Sequence, residues 1–195
     1  METAAISRPD ATASLEQLLN WSIKHRAYLH QALTFTFDQT TGISLKVKPG
    51  ISTVPFNVPL LSCPYWLTIS YLNAFDTSLF PSRGPKFPDS FLECQSTQTV
   101  STFFLAQQFL LGRKSWWHDY IQALPQPDDL EGMGTALVFT ADDLMWLQGT
   151  SLLEKTEQRR RSWQLDYEKA KARLKQEGFD VSGFTWCVRN SMPSI

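Results

Sequence analysis

Apolar residues follow two different rhythms along this chain, and the change between them divides it. From residue 33 to residue 47 the period is two. Leu33, Phe35 and Phe37 alternate with Thr34 and Thr36, and Ile43, Leu45 and Val47 alternate with Ser44 and Lys46. Strict alternation marks strands with one buried face. Asp38-Gln39-Thr40-Thr41-Gly42 supplies turn residues between the two runs, and Pro49-Gly50 closes the segment. Residues 33–47 therefore predict a β-hairpin. Two more short strands are predicted over 52–56 and 60–63, each stopped by a proline.

Elsewhere the rhythm is helical. Ser14-Leu15-Glu16-Gln17 has the form of a capping box, and Leu15, Leu18, Leu19 and Ile23 make one stripe, so a helix is predicted over 15–25. Residues 76–88 are rich in Pro, Ser and Gly and predict an exposed loop. Val100, Phe103, Phe104 and Leu111 belong to a largely buried helix ended by Gly112. Ser115 can cap a following helix whose apolar face is Trp117, Tyr120, Ile121 and Leu124, with Pro125 as its stop. Pro127-Asp128-Asp129 and Gly132-Met133-Gly134 read as a loop. Thr140 and Asp143 form another capping arrangement, closed by Gly149. The longest element is predicted over 150–177. Its stripe, Leu153, Thr156, Arg160, Trp163, Tyr167, Ala170 and Leu174, alternates steps of three and four, and Gly178 is the natural cap. A stripe with arginine at its centre does not suit a free coiled coil. It suits a helix packed on its own domain through Trp163 and Tyr167.

The fold class expected is α+β: a small, incomplete antiparallel β-region followed by a mainly helical part. Residues 1–13 read as a frayed tail, 14–97 as the β-region with its opening helix, and 98–195 as the helical part.

Composition narrows the classes of function. Seven Trp and thirteen Phe in 195 residues supply a real core. A net charge of −1 gives no global field to gather nucleic acid or an anionic membrane, so neither is expected as a partner. Arg159-Arg160-Arg161 is basic, but Glu154, Glu157, Asp166 and Glu168 surround it, as on a solvated helix surface. The first residues lack the apolar run of a secretory signal, and no stretch has the length of a membrane span. The three cysteines, Cys63, Cys94 and Cys187, are far apart and have no metal-ligand spacing with histidine. They fit buried free thiols in a reducing compartment, hence an intracellular, cytoplasmic or nuclear, location.

The order of the motifs resembles the first half of a SET-domain lysine methyltransferase of the Rubisco-methyltransferase type. Leu19-Asn20-Trp21-Ser22-Ile23-Lys24-His25 looks like the short helix that opens these enzymes. Thr41-Gly42-Ile43-Ser44-Leu45 sits where their Gly-rich cofactor loop belongs, and Leu61-Ser62-Cys63-Pro64 and Leu72-Asn73-Ala74 look like the next segments. Leu105–Leu111, Ser115–Pro125, Phe139–Thr150 and the long charged helix match the helical insertion that splits the SET fold. The resemblance covers roughly residues 15 to 186. It implies S-adenosylmethionine as cofactor, with Gly42, Ile43, Ser44 and Leu45 as the cofactor-binding residues, and a protein as substrate.

There are departures from the pattern. Ser44 stands where a second glycine is usual, Arg26 where a glycine commonly follows the first helix, and Asp119 where proline is frequent. After Phe184-Thr185-Trp186 the sequence leaves the pattern. The Asn-His segment and the active-site tyrosine of the second SET half have no counterpart. Methyl transfer needs a neutral lysine amine aligned with the methyl and sulfur atoms, so catalysis is expected to be absent or impaired. No catalytic residue is assigned. Tyr28, Tyr65, Tyr71, Tyr120 and Tyr167 stand in no matching context, and His25, His30 and His118 pair with no acid or thiol at a telling spacing. Core packing is the expected role of Trp116-Trp117. The alternative functions are a non-catalytic module that binds a protein partner through the helical part, and a truncated product without stable function.

Overall fold

The computed structural model describes residues 11–38, 42–126 and 134–185. Its elements run α1 (Ala11–Lys24), β1 (Tyr28–Leu29), β2 (Leu33–Asp38), β3 (Gly42–Val47), β4 (Leu61–Ser62), α2 (Tyr71–Ala74), α3 (Asp89–Cys94), α4 (Thr97–Leu111), α5 (His118–Ala123), α6 (Ala141–Met145) and α7 (Ser151–Gln176), with single 3-10 turns at Tyr65–Leu67, Gly112–Lys114 and Ala136–Val138. The class is α+β, with small sheets and dominant helix, as the two rhythms predict.

The chain packs as two units, residues 1–69 with 117–124, and residues 70–116 with 125–195. The boundary expected from the sequence at 97/98 falls in the first turn of α4, inside the second unit.

In the first unit, α1 packs on α5 and on β1 and β2. It begins at Ala11, so Ser14 lies in its first turn and not at the cap. Leu15 is buried, but Ile23 is 53% exposed, and the inner face continues through Ser22, whose hydroxyl donates to the Leu18 carbonyl at 2.7 Å. The helix closes through Arg26, which takes a left-handed φ of 74° while the N–H of Ala27 bonds back to the Ser22 carbonyl. That geometry favours glycine. β2 and β3 pair antiparallel, Leu33 opposite Val47 through Asp38 opposite Gly42, and β1 pairs with β4. Residues 52–56 are not a strand. Pro55 has no N–H for a ladder, Asn57 turns the chain at φ 65°, and Phe56 is 91% exposed. Trp117 is fully buried, and its indole N–H donates to the Leu67 carbonyl at 3.1 Å.

The second unit is built on aromatic rings. Phe87 stacks on Phe91 and on Phe179, with centroids 5.4 and 5.0 Å apart. Phe103 stacks on Tyr167 and on Phe184 at 5.8 and 5.3 Å. The loop over 76–88 is not wholly exposed, because Ser82 and Phe87 are buried. Gln108 donates to the Ser82 carbonyl and Gln107 to the Pro85 carbonyl, so two buried amides of α4 tie the loop down. Ser115 donates to Gln108, and Trp117 occupies the cap position of α5 that Ser115 was expected to take. The Thr140–Asp143 capping box is present, with reciprocal bonds of 3.2 and 3.1 Å. The α7 stripe packs as predicted, with Thr156, Ala170 and Leu174 buried. Arg160 has a partner: its guanidinium donates to the carbonyls of Ala136, Leu137 and Phe139 at 2.8–3.0 Å. Cys63 and Cys94 are exposed, contrary to the expectation of buried thiols, since Cys63 follows β4 and Cys94 ends α3, both short elements. Cys187, Asp128 and Asp129 lie outside the described residues.

Candidate functional site

Gly42, Ile43, Ser44 and Leu45 are consecutive residues of β3. Gly42 enters the strand with φ +75°, and a Cβ built on it would meet nothing within 4 Å. Thr41 lies outside the described residues. From Ile43 onward the backbone is extended, so one face of the hairpin is set by alternation.

The two faces differ in kind. On one, the cross-strand pairs are Leu33–Val47, Phe35–Leu45 and Phe37–Ile43. Leu33 is buried, but Phe37, Ile43, Leu45 and Val47 are 40 to 48% exposed. On the other face Thr36 lies opposite Ser44. Both hydroxyl oxygens are shielded from solvent, and among the described residues neither has a hydrogen-bond partner. At its centre the hairpin thus covers a hydroxyl pair and leaves apolar groups open, the reverse of an ordinary surface sheet, while Lys46 on the hydroxyl face is exposed. Thr36 has no place in the sequence motif. Its signal was positional: once the hairpin register is known, it is the residue that must face Ser44.

The residues present fit part of a cofactor site. Open space at Gly42 lets a ligand approach the backbone closely. Neither the tyrosines nor the histidines gather here as a reacting group. Tyr28 is 44% exposed and meets His30 edge to ring, 6.5 Å between centroids, while His30 Nδ1 accepts from the Ala32 N–H. Tyr167 belongs to the second unit, where its hydroxyl donates to the Phe184 carbonyl at 2.7 Å. Asp142 and Asp143 lie in the first turn of α6, where carboxylates suit the helix dipole. Among the described residues no three His, Cys, Asp or Glu side chains gather as metal ligands, and no helix is long and apolar enough to cross a membrane.

The chain is 25% identical over 158 residues to the ribosomal lysine N-methyltransferase set10 of Schizosaccharomyces pombe. This chain is a distant relative of a lysine methyltransferase. The match takes in 80% of the chain and 27% of that relative, so the chain spans about a quarter of the relative's length. No protein-family profile matches the chain, and no solved structure matches it.

The second unit carries a separate concavity. A groove of about 710 Å³ runs between α4 and α7, floored by Phe103, Phe109, Leu110, Trp163, Tyr167 and Phe184.

Proposed function

We propose that this chain supplies one wall of an S-adenosylmethionine site, together with the helical part, of a SET-type protein-lysine N-methyltransferase, and that it does not transfer methyl groups by itself. The observation behind this reading is the inverted hairpin. Open space beside the Gly42 backbone offers a ledge for the cofactor, and Phe37, Ile43, Leu45 and Val47 offer an apolar face for further structure. When bound, the cofactor would supply an electrophilic methyl group. The part of this chain is to bind and orient: backbone groups beside Gly42 approach the ligand. Ser44 brings a side chain where the resemblance favours glycine, which narrows the ledge. No residue here is assigned the removal of a proton from lysine or its alignment for attack. The protein substrate belongs to the complete assembly.

Calorimetry of the purified chain with S-adenosylmethionine is expected to give a dissociation constant no tighter than about 1 mM, or about 4 kcal/mol. Labelled cofactor with a broad protein extract is expected to leave no methyl group on lysine above background. Micromolar affinity would overturn the one-wall reading. Labelling of lysine that is lost on Gly42→Val would overturn the claim that the chain is inactive alone.

A further inference from the structure

The groove between α4 and α7 carries an inference that does not rest on the methyltransferase reading. Its floor is aromatic, and its α4 wall runs from Gln98 to Leu110, about 18 Å at the helical rise of 1.5 Å per residue. Leu110 is 53% exposed there. An apolar furrow of this size is an uncommon thing to leave open to water.

The α7 wall of the groove is complementary to itself. Arg159, Ser162, Trp163 and Asp166 line it at steps of three, one and three, so they form one ridge with opposite charges at its ends. The two charges stand about 10.5 Å apart along the axis. Arg159, Ser162 and Asp166 are exposed, and among the described residues neither charge forms an ion pair. The Arg159 guanidinium lies over the Trp163 ring, 5.7 Å from its centroid. The exposed Lys155 and Lys169 fall outside the groove lining.

A second copy, turned so that the two α7 helices run antiparallel, matches this ridge. Arg159 then faces Asp166 of the other copy, and Asp166 faces Arg159. Ser162 faces Trp163, and the small serine leaves room for the indole ring. A parallel pairing would set Arg159 against Arg159 and Asp166 against Asp166. A two-fold interface requires a surface that matches itself in this way. Each α4 would flank the other copy's α7, so that two open helix pairs close into a four-helix layer over their aromatic floors. Burial of the rings supplies the attraction, and the ion pairs set direction and register, because exposed pairs contribute little affinity of their own.

We propose that this groove is the interface of a two-fold homodimer, with α7 antiparallel to its counterpart and Arg159 paired with Asp166 across the axis.

Sedimentation velocity tests this on the full chain, in reducing buffer because Cys63 and Cys94 are exposed. The chain is expected to pass from monomer to dimer between about 1 μM and 1 mM. Arg159→Asp and Asp166→Arg each replace two ion pairs with two like-charge contacts. Each is expected to raise the dimer dissociation constant about tenfold, with unchanged helical circular dichroism. An equimolar mixture of the two single variants restores both pairs, since each copy then carries one sign of charge, and is expected to form a one-to-one heterodimer as tight as the unsubstituted dimer. The double exchange Arg159→Asp/Asp166→Arg is expected to dimerise like the unsubstituted chain. A chain that stays monomeric to about 1 mM would overturn the proposal and leave the groove to another occupant. A dimer indifferent to both single substitutions, or single variants that do not recover on mixing, would overturn it as well.

Discussion

The guanidinium of Arg160 donates to the carbonyl of Phe139 at 2.8 Å, and with two further bonds it gathers the turn over residues 136–139 against α7. Burial lowers the pKa of the guanidinium and the neighbouring Glu157 raises it, yet the group stays charged at any ordinary pH. The arginine in the middle of an otherwise apolar stripe is therefore a connector for backbone carbonyls.

Arg160→Leu keeps the stripe apolar but strips three carbonyls of their donor. A loss of about 2–4 kcal/mol in urea unfolding is expected. Arg160→Lys is expected to recover only part, because an ammonium lacks the planar fork that reaches three oxygens. A neutral Arg160→Leu would mean that the turn is held by other contacts.

Arg26→Gly should stabilise the chain. Arg26 sits at φ 74°, where a Cβ costs about 1–2 kcal/mol, and glycine returns part of that through its own flexibility when unfolded. A gain of about 0.5–1 kcal/mol is expected in thermal or urea melts. Arg26→Ala should give no such gain.

Trp117→Ala should cost about 3–5 kcal/mol, since the ring is fully buried. Trp117→Phe tests the polar end separately. It leaves the Leu67 carbonyl without its indole donor and should cost about 1 kcal/mol beyond the change in volume. Equal losses in the two variants would assign the effect to the indole N–H bond and not to the buried ring.

Asp76 accepts from the N–H of Ser82 at 2.8 Å, and this bond, with the Ser82 hydroxyl next in weight, lowers its pKa below the usual carboxylate value. A carboxylate whose folded pKa is depressed stabilises the fold above its unfolded pKa, and the contribution is lost as pH falls through the folded value. Hydrogen-exchange protection factors in the loop over 76–88 should therefore fall below about pH 4, the unfolded range for aspartate. Asp76→Asn should flatten that acid limb. An unchanged acid limb in the variant would assign it to other carboxylates.

Much of this architecture was legible in the chain because local patterns decide it. The hairpin register follows from alternation about a turn, and α4 and α7 follow from stripes that end at Gly112 and Gly178, both of which take positive φ. Three features were not legible. Residues 52–56 alternate as a strand does, but a strand needs a neighbour, and Pro55 blocks the ladder. Cys63 and Cys94 are small and apolar by type, yet their exposure depends on where short elements end. The loop over 76–88 is polar in composition and still partly buried, because Gln107 and Gln108 reach it from α4 across 22 and 26 residues. In the candidate site, Gly42 to Leu45 came from motif order. Thr36 appeared only when the partner strand was in place.

Residues 117–124 pack with the first unit although the segments on either side pack with the second. Neither unit is thus a continuous stretch of the coding sequence. A recombinant fragment ending near residue 97 would lack α5, the helix that packs on α1, together with the buried Trp117. A fragment starting there would carry α5 without α1. Domain mapping by simple deletion would then register loss of folding at both ends and mistake it for loss of a binding or catalytic function.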